Sequence, residues 1–338
     1  MHIHRLTHVI DVHAAGWPLR VLQIPATSIS QGIPLAESTR ALWRDWVGQG
    51  GYPSPVRWLQ QEPRGHAAMR IGAIAPSVGR LADVFLHVFD ANGPCRADGL
   101  DAICAAAAMD ESGLFAGVIR PGRRTPHAEK VIQTENGLYR VRKCEDDAMT
   151  YTVLSDDRPA RIVEHGRLVQ AGHLSLAADI VLSGSEKYAI INVQGSGLTI
   201  RIDRISELTE AARSAQSAMS SHSSIVLSER DTGQAGRMRI AVFDACGNLL
   251  RAPGSRALHA VMAFLSEGDI GVMAGEITAE GLNGGTIICR AAARQTIDAN
   301  ESLMQITHWE ILCRPFVTGS LQFVMDPDDE AGEGFLLR

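Results

Sequence analysis

Two stretches, one in each half of the chain, repeat a single design: an apolar strand, a tight turn, and a helix that begins at the turn. In the first, Val84 to Phe89 has the length and composition of a buried strand. The turn Ala97-Asp98-Gly99-Leu100-Asp101 then leads into an alanine-rich helical run, Ala102 to Asp110, which Ser112-Gly113 ends. In the second, Arg237 to Phe243 is the strand, Asn248-Leu249-Leu250-Arg251-Ala252-Pro253-Gly254 the turn, and Ser255 to Glu267 a helix closed by Gly268. The first N–H groups of a helix have no partners within it and carry partial positive charge, so each turn is a natural place for an anion. Two such units facing one another would make a pseudo-symmetric pair of helix ends around one cleft.

The rest of the chain is punctuated by turns. Val9 to Leu22 holds two apolar runs, with Gly16 and Pro18 marking a turn between strands. Pro34 to Val47 puts Leu35, Leu42, Trp43, Trp46 and Val47 near one helical face, stopped by Gly48-Gln49-Gly50-Gly51. Gln61-Glu62-Pro63-Arg64-Gly65-His66 gathers a carboxylate, a guanidinium and an imidazole in one polar turn, where pairing or capping is the commoner use of such groups. Pro121-Gly122-Arg123-Arg124-Thr125-Pro126 has the composition of a crossing between domains. From Glu129, short alternating runs at Val131 to Gln133, Leu138 to Val141, Tyr151 to Leu154 and Ala160 to Val163 are expected as antiparallel strands. Ile180 to Leu182, Tyr188 to Val193 and Leu198 to Ile202 continue the sheet, and Ser206 to Met219 has the spacing of an amphipathic helix. Phe316 to Met325 adds a strand before the acidic end Asp326-Pro327-Asp328-Asp329-Glu330.

The 338 residues leave room for two domains, each with its own core, and 45% hydrophobic against 21% charged residues is a globular balance. A net charge of -6 without a lysine or arginine cluster argues against nucleic acid and toward small acids or neutral molecules. The opening Met1 to Leu6 lacks the apolar core of a signal peptide and no apolar run reaches the length of a membrane span, so no membrane association and a cytoplasmic location are expected. Cys95, Cys104, Cys144, Cys246, Cys289 and Cys313 form no CxxC pair, which points to reduced, mostly buried thiols and no metal site.

Three stretches together resemble the proline racemases, with the hydroxyproline epimerases and trans-3-hydroxyproline dehydratases related to them. Asp11-x-His13-x-x-Gly16-x-Pro18-x-Arg20-Val21 is similar to the N-terminal strand motif of that family, and Glu62-Pro63-Arg64-Gly65-His66-x-x-Met69 to its most recognisable turn. Phe316-Val317-Thr318-Gly319-x-x-Gln322-Phe323-Val324-Met325-Asp326-Pro327-Asp328-Asp329, with Gly334-Phe335-Leu336-Leu337, is similar to its C-terminus. The resemblance covers nearly the whole chain. It implies an α/β (α+β) fold of the diaminopimelate-epimerase kind: two pseudo-symmetric domains, each a sheet wrapped around a central helix. Residues 1–125 with about 310–338 would form the first and 126–309 the second. The resemblance also implies chemistry with no cofactor, in which a thiolate at one helix end removes the substrate Cα proton and a thiol at the other returns one, with the free N–H groups holding the substrate carboxylate. A homodimer is the assembly it suggests.

The chain departs from that pattern at the reacting groups. Ala97-Asp98-Gly99-Leu100 falls on the family's Met-Cys-Gly-His, so Asp98 stands for the first cysteine and Leu100 for the histidine. Leu250 to Ala257 falls on Asp-Arg-Ser-Pro-Cys-Gly-Thr-Gly-Thr, where the second cysteine has become Pro253 or Gly254 or is deleted, and the leading aspartate is Leu250. Leu321 takes the place of a histidine near the C-terminus. Two-thiol racemisation is therefore not expected. Asp98 is a candidate base or acid if burial raises its pKa, weighed against a helix N-cap with Asp101 as a first-turn carboxylate. Ser255 poses the same choice between cap and site hydroxyl. Gly99, Leu100, Asp101, Gly254, Ser255, Leu250, Leu321 and His66 are the expected substrate-binding residues. Leucines accept no hydrogen bond from an ammonium, so the expected ligand is a small cyclic acid less cationic than proline. Two functions stand: a one-base isomerisation or elimination by Asp98, in the manner of an epimerase or dehydratase, or an inactive relative that binds a small ligand or protein partner in the cleft. A third reading shifts the match and brings Cys95 or Cys246 toward the cleft.

Overall fold

The computed structural model describes residues 5–24, 54–77, 82–113, 129–155, 159–219, 223–267, 275–299, 302–326, 328–331 and 334–335. The expected helix over 34–47 with its stop at 48–51, the crossing at 121–126 and the stop at Gly268 lie outside the described residues. By contacts the chain divides into two units, one of Met1–Ala14, Pro18–Ser155 and Arg314–Arg338, the other of Ala15–Trp17 and Asp156–Cys313. Residues 126–155, expected in the second domain, therefore cluster with the first.

The first unit is built on β1 (Arg5–Ala14), β2 (Trp17–Gln23), α1 (Ser54–Gln60), β3 (Ile71–Pro76), β4 (Val84–Asp90), β5 (Gly93–Cys95), α2 (Gly99–Ser112), β6 (Lys130–Thr134), β7 (Gly137–Lys143) and β8 (Tyr151–Ser155). Helix α2 is apolar all round from Ala102 to Met109, and Leu100 and every one of those residues are buried, the mark of a helix enclosed by its sheet rather than laid on its surface. Its alanines keep the helix thin, and it contacts β1, β3, β4, β7 and β8. Gly113 ends it in the left-handed conformation at φ 62. Strands β2 and β3 pair in parallel, β3 and β4 antiparallel, and β4 and β6 in parallel, before two antiparallel steps through β7 to β8. One face of this sheet packs Val9, Leu22, Trp58, Leu59, Ile71, Phe85 and Phe89 together.

The second unit holds β9 (Arg161–Ala171), β10 (Leu174–Ser183), β11 (Glu186–Asn192), α3 (Ile205–Ser217), β12 (Ser224–Arg230), β13 (Arg237–Phe243), α4 (Ser255–Glu267), β14 (Glu276–Glu280), β15 (Thr286–Ala299) and β16 (Ser302–Cys313). It repeats the first unit step for step. β11 and β12 are parallel, β12 and β13 antiparallel, β13 and β14 parallel, and β14, β15 and β16 successively antiparallel. Helix α3 stands where α1 stood in the order, and α4 where α2 stood. Leu208, Ala211, Ala212 and Ala215 form the buried stripe of α3, whereas α4 is buried through Ala257, Leu258, Ala260, Val261, Met262 and Leu265. The last strand, β17 (Pro315–Met325), returns to the first unit and pairs antiparallel with β1, from Arg5 opposite Met325 to Ala14 opposite Pro315.

Several local expectations change. Pro18 lies inside β2, and the turn before it is made by Ala15 (φ 52) and Gly16 (φ 90), both left-handed as a two-residue hairpin requires. A Cβ on Gly16 would overlap the Asn283 side-chain amide, whose Nδ2 donates to the Ala15 carbonyl at 3.0 Å. Leu198 to Ile202 is not a strand: Gly195 and Gly197 turn the chain at positive φ, Ser196 bonds locally to Val193, and the Ile200 amide donates to the Glu229 carboxylate at 3.1 Å in place of a sheet neighbour. The strand expected at 160–163 runs on to Ala171. The antiparallel pairing expected from Glu129 onward holds for β6–β7, β7–β8 and β9–β10, while β6 also lies parallel to β4 and β11 parallel to β12, because alternation encodes a half-buried face and not a direction.

Candidate functional site

The first helix start is closed by its own side chains. Asp98 is the N-cap of α2, in extended conformation at φ -104 and ψ 162. Its Oδ1 accepts from the Leu100 amide at 3.0 Å, and its side chain also takes the Asp101 amide. In return Asp101 Oδ2 accepts from the Asp98 amide at 2.8 Å, so the two carboxylates complete a reciprocal capping box. Asp98 is 5% exposed and Asp101 fully buried. Behind them Arg70 grips Asp101 with Nε at 3.0 Å and Nη2 at 2.7 Å, and Nη2 also reaches the Arg96 carbonyl at 3.1 Å. Burial, the largest single influence, pulls the Arg70 guanidinium down, but the groups facing it, Asp101 first and then Cys95 and Asp90, together outweigh burial and hold the guanidinium well above its usual range. The Tyr139 hydroxyl donates to the Ala97 carbonyl at 2.8 Å and fixes the turn from the side. Arg70 and Tyr139 escape sequence reasoning, because neither stands in a recognisable pattern with a turn about thirty to forty residues away.

The second helix start is differently made. The Gly254 carbonyl accepts from the Leu258 amide at 3.1 Å, so Gly254 holds the cap position and Ser255 is the first helical residue, displaced by one from the expected cap. Gly254 and Ser255 are buried. Leu250 is half-buried and its amide donates to the Val242 carbonyl at 2.8 Å, continuing the edge of β13. Beside them Arg256, 4% exposed, donates from Nη1 to Glu186 at 3.2 Å, and the Tyr188 hydroxyl donates to the same carboxylate at 2.6 Å.

The remaining candidates lie apart in the order of elements. His66 is exposed in the turn after α1, its Nδ1 accepting from the Ala68 amide at 3.2 Å. Leu321 sits in β17 opposite Val9 and is 38% exposed. Leu100, by contrast, is fully buried in the first unit. Cys95 ends β5; burial foremost, opposed by the Arg70 guanidinium, pushes its thiol up to about 12, so it carries no thiolate at neutral pH. Cys246 is an exposed thiol on the Asp244 turn. None of the six cysteines is in a disulfide. Among the described residues no three His, Cys, Asp or Glu side chains are gathered to hold a metal ion, and no helix is long and apolar enough to cross a membrane.

Two units that repeat one strand order, each with a helix buried against its sheet, define a diaminopimelate-epimerase-like α/β fold. A hydroxyproline epimerase from Agrobacterium vitis, solved with bound trans-4-hydroxy-L-proline, has this fold at a TM-score of 0.74 and 18% identity, over 100% of this chain and 96% of that one. In sequence, a trans-3-hydroxy-L-proline dehydratase of Bacillus thuringiensis is 22% identical over 100% of both chains. A 4-hydroxyproline 2-epimerase of Cereibacter sphaeroides is 23% identical over 92% of this chain and 96% of its own. The proline racemase family profile matches residues 9–336, and the chain belongs to that family.

Proposed function

We propose that this is a proline racemase-family protein that binds a small ligand or a partner without two-thiol proton exchange, its first helix end being closed by its own carboxylate. The observation that carries this reading is the reciprocal cap: Asp98 accepts the Leu100 and Asp101 amides, the groups on which a substrate carboxylate would rest. A second carboxylate arriving there meets like charge in a buried setting. In the motif match Asp98 falls where the family carries its first thiol, and Pro253, Gly254 or a deletion where it carries its second, while Cys95 is held as a thiol. Leu100, Leu250 and Leu321 replace polar groups around the ring nitrogen, which favours a small cyclic ligand less cationic than proline, either a neutral analogue or an acid whose carboxylate does not rest on the first helix end.

The test is proton exchange at carbon. Incubated in deuterated water with L-proline, D-proline and the hydroxyprolines, the protein is expected to leave Cα unlabelled by mass spectrometry and proton NMR. Label at Cα would overturn the reading. If that label vanished in Asp98→Asn, a one-base reaction at Asp98 would replace it.

A further inference from the structure

The described bonds of the motif turn at Gln61 to His66 lead to the C-terminus. Arg20 on β2, 4% exposed, gives Nε and Nη2 to the two Asp11 oxygens, each at 2.8 Å, and Nη1 to the carbonyls of Leu59 at 2.9 Å and Arg64 at 2.6 Å. Its guanidinium lies 4.7 Å from the Phe323 ring of β17. This buried cation, with four hydrogen bonds, fixes β1, β2, α1 and the motif turn to one point. Arg64 then faces the other way. Its guanidinium crosses the Trp58 ring at 4.8 Å and donates from Nη2 to Asp329 Oδ2 at 2.9 Å. Beside it Glu62 and Phe335 exchange backbone hydrogen bonds, Glu62 amide to Phe335 carbonyl at 2.9 Å and Phe335 amide to Glu62 carbonyl at 3.0 Å.

Two glycines permit the fit. A Cβ on Gly65 would overlap the Gln60 backbone, and one on Gly334, at φ 83, would lie 2.9 Å from Gln61 Cβ. We infer that the Glu62-Pro63-Arg64-Gly65-His66 turn is a cradle for the C-terminal tail, with Arg64 as the latch that ties Asp329 and Phe335 to the buried Arg20 point. The tail is a strap that opens locally. Its described attachments are polar, the Asp329 side chain is 35% exposed and Phe335 43%, and contacts of that kind belong to the low-stability end of local unfolding.

The test is native-state amide exchange on the full chain. In Arg64→Gln and in Asp329→Asn the Glu62 and Phe335 amides are expected to exchange about fivefold faster than in the wild type, with the Val9 and Ile10 amides of β1 unchanged. The double variant is expected to match Arg64→Gln, since both changes remove one contact. Unchanged exchange at Glu62 and Phe335 in Asp329→Asn would overturn the latch, and so would a parallel rise at Val9 and Ile10, which means global loosening. Asp329 is largely outside the core, so Asp329→Asn decides the matter if Arg64→Gln does not fold.

Discussion

Asp98 and Asp101 close one helix end with two carboxylates that trade amide donors, and the exchange fixes how each substitution behaves. Asp98→Ala removes an acceptor from two buried N–H groups and is expected to cost about 1–2 kcal/mol in urea denaturation, whereas Asp98→Asn keeps an acceptor of equal rank and is expected to cost a few tenths. Equal losses in the two variants would mean that charge, not the hydrogen bond, holds the cap. The cap itself is legible in sequence, because Asp98 precedes a helical run and a carboxylate follows three residues later. Its anchor is not: Arg70 meets Asp101 across 31 residues, and only the closing of β3 and α2 brings them together. Ser255 shows the limit of the same logic: serine is a preferred capping residue, yet Gly254, one step earlier, takes the position.

At the scale of elements, β4 carries a titrating group into the core of the first unit. Burial pushes His87 down to about 3 from its usual 6.5, so the 3.9 Å approach of its Nδ1 to Glu135 is not an ion pair at neutral pH. Between those values the unfolded chain binds a proton that the folded one refuses. The stabilising contribution is therefore complete above about pH 6.5 and is lost as pH falls toward 3. His87→Phe, beside the Phe85 ring at 4.2 Å, is expected to flatten the slope of unfolding free energy against pH over that window, measured by denaturant titration at several pH values. The elements that sequence reading finds, β4, α2, β13, α3 and α4 among them, carry a pattern complete within themselves. It passes over β14, β15 and β16, where residues such as Arg290 and Glu310 pair across strands at 2.9 Å and interrupt the apolar alternation by a partnership that no local window contains.

For the whole molecule, the repeated strand order means that each unit has the means to fold around its own helix. The second has a separate core, joining Val169, Ile191, Leu208, Ala212, Leu227 and Phe243. Residues 156–313 expressed alone are expected to unfold cooperatively in urea with mixed α/β circular dichroism, though less stably than in the full chain, because Asn283 loses the Ala15 carbonyl it binds. A gradual, non-cooperative transition would mean that the second unit does not stand by itself. The family likeness was carried in sequence by Asp11, Gly16, Arg20, Glu62, Arg64, Gly65, Phe323 and Asp329. In three dimensions those residues belong to the Arg20 point, the tail cradle and the hairpin tip that meets Asn283. None of them lies in the described bonds of the two helix starts. The features that declare this chain's family are thus its joinery: the bonds that seat β1, β2, the motif turn and the tail on one another are the ones a reader of the sequence meets first.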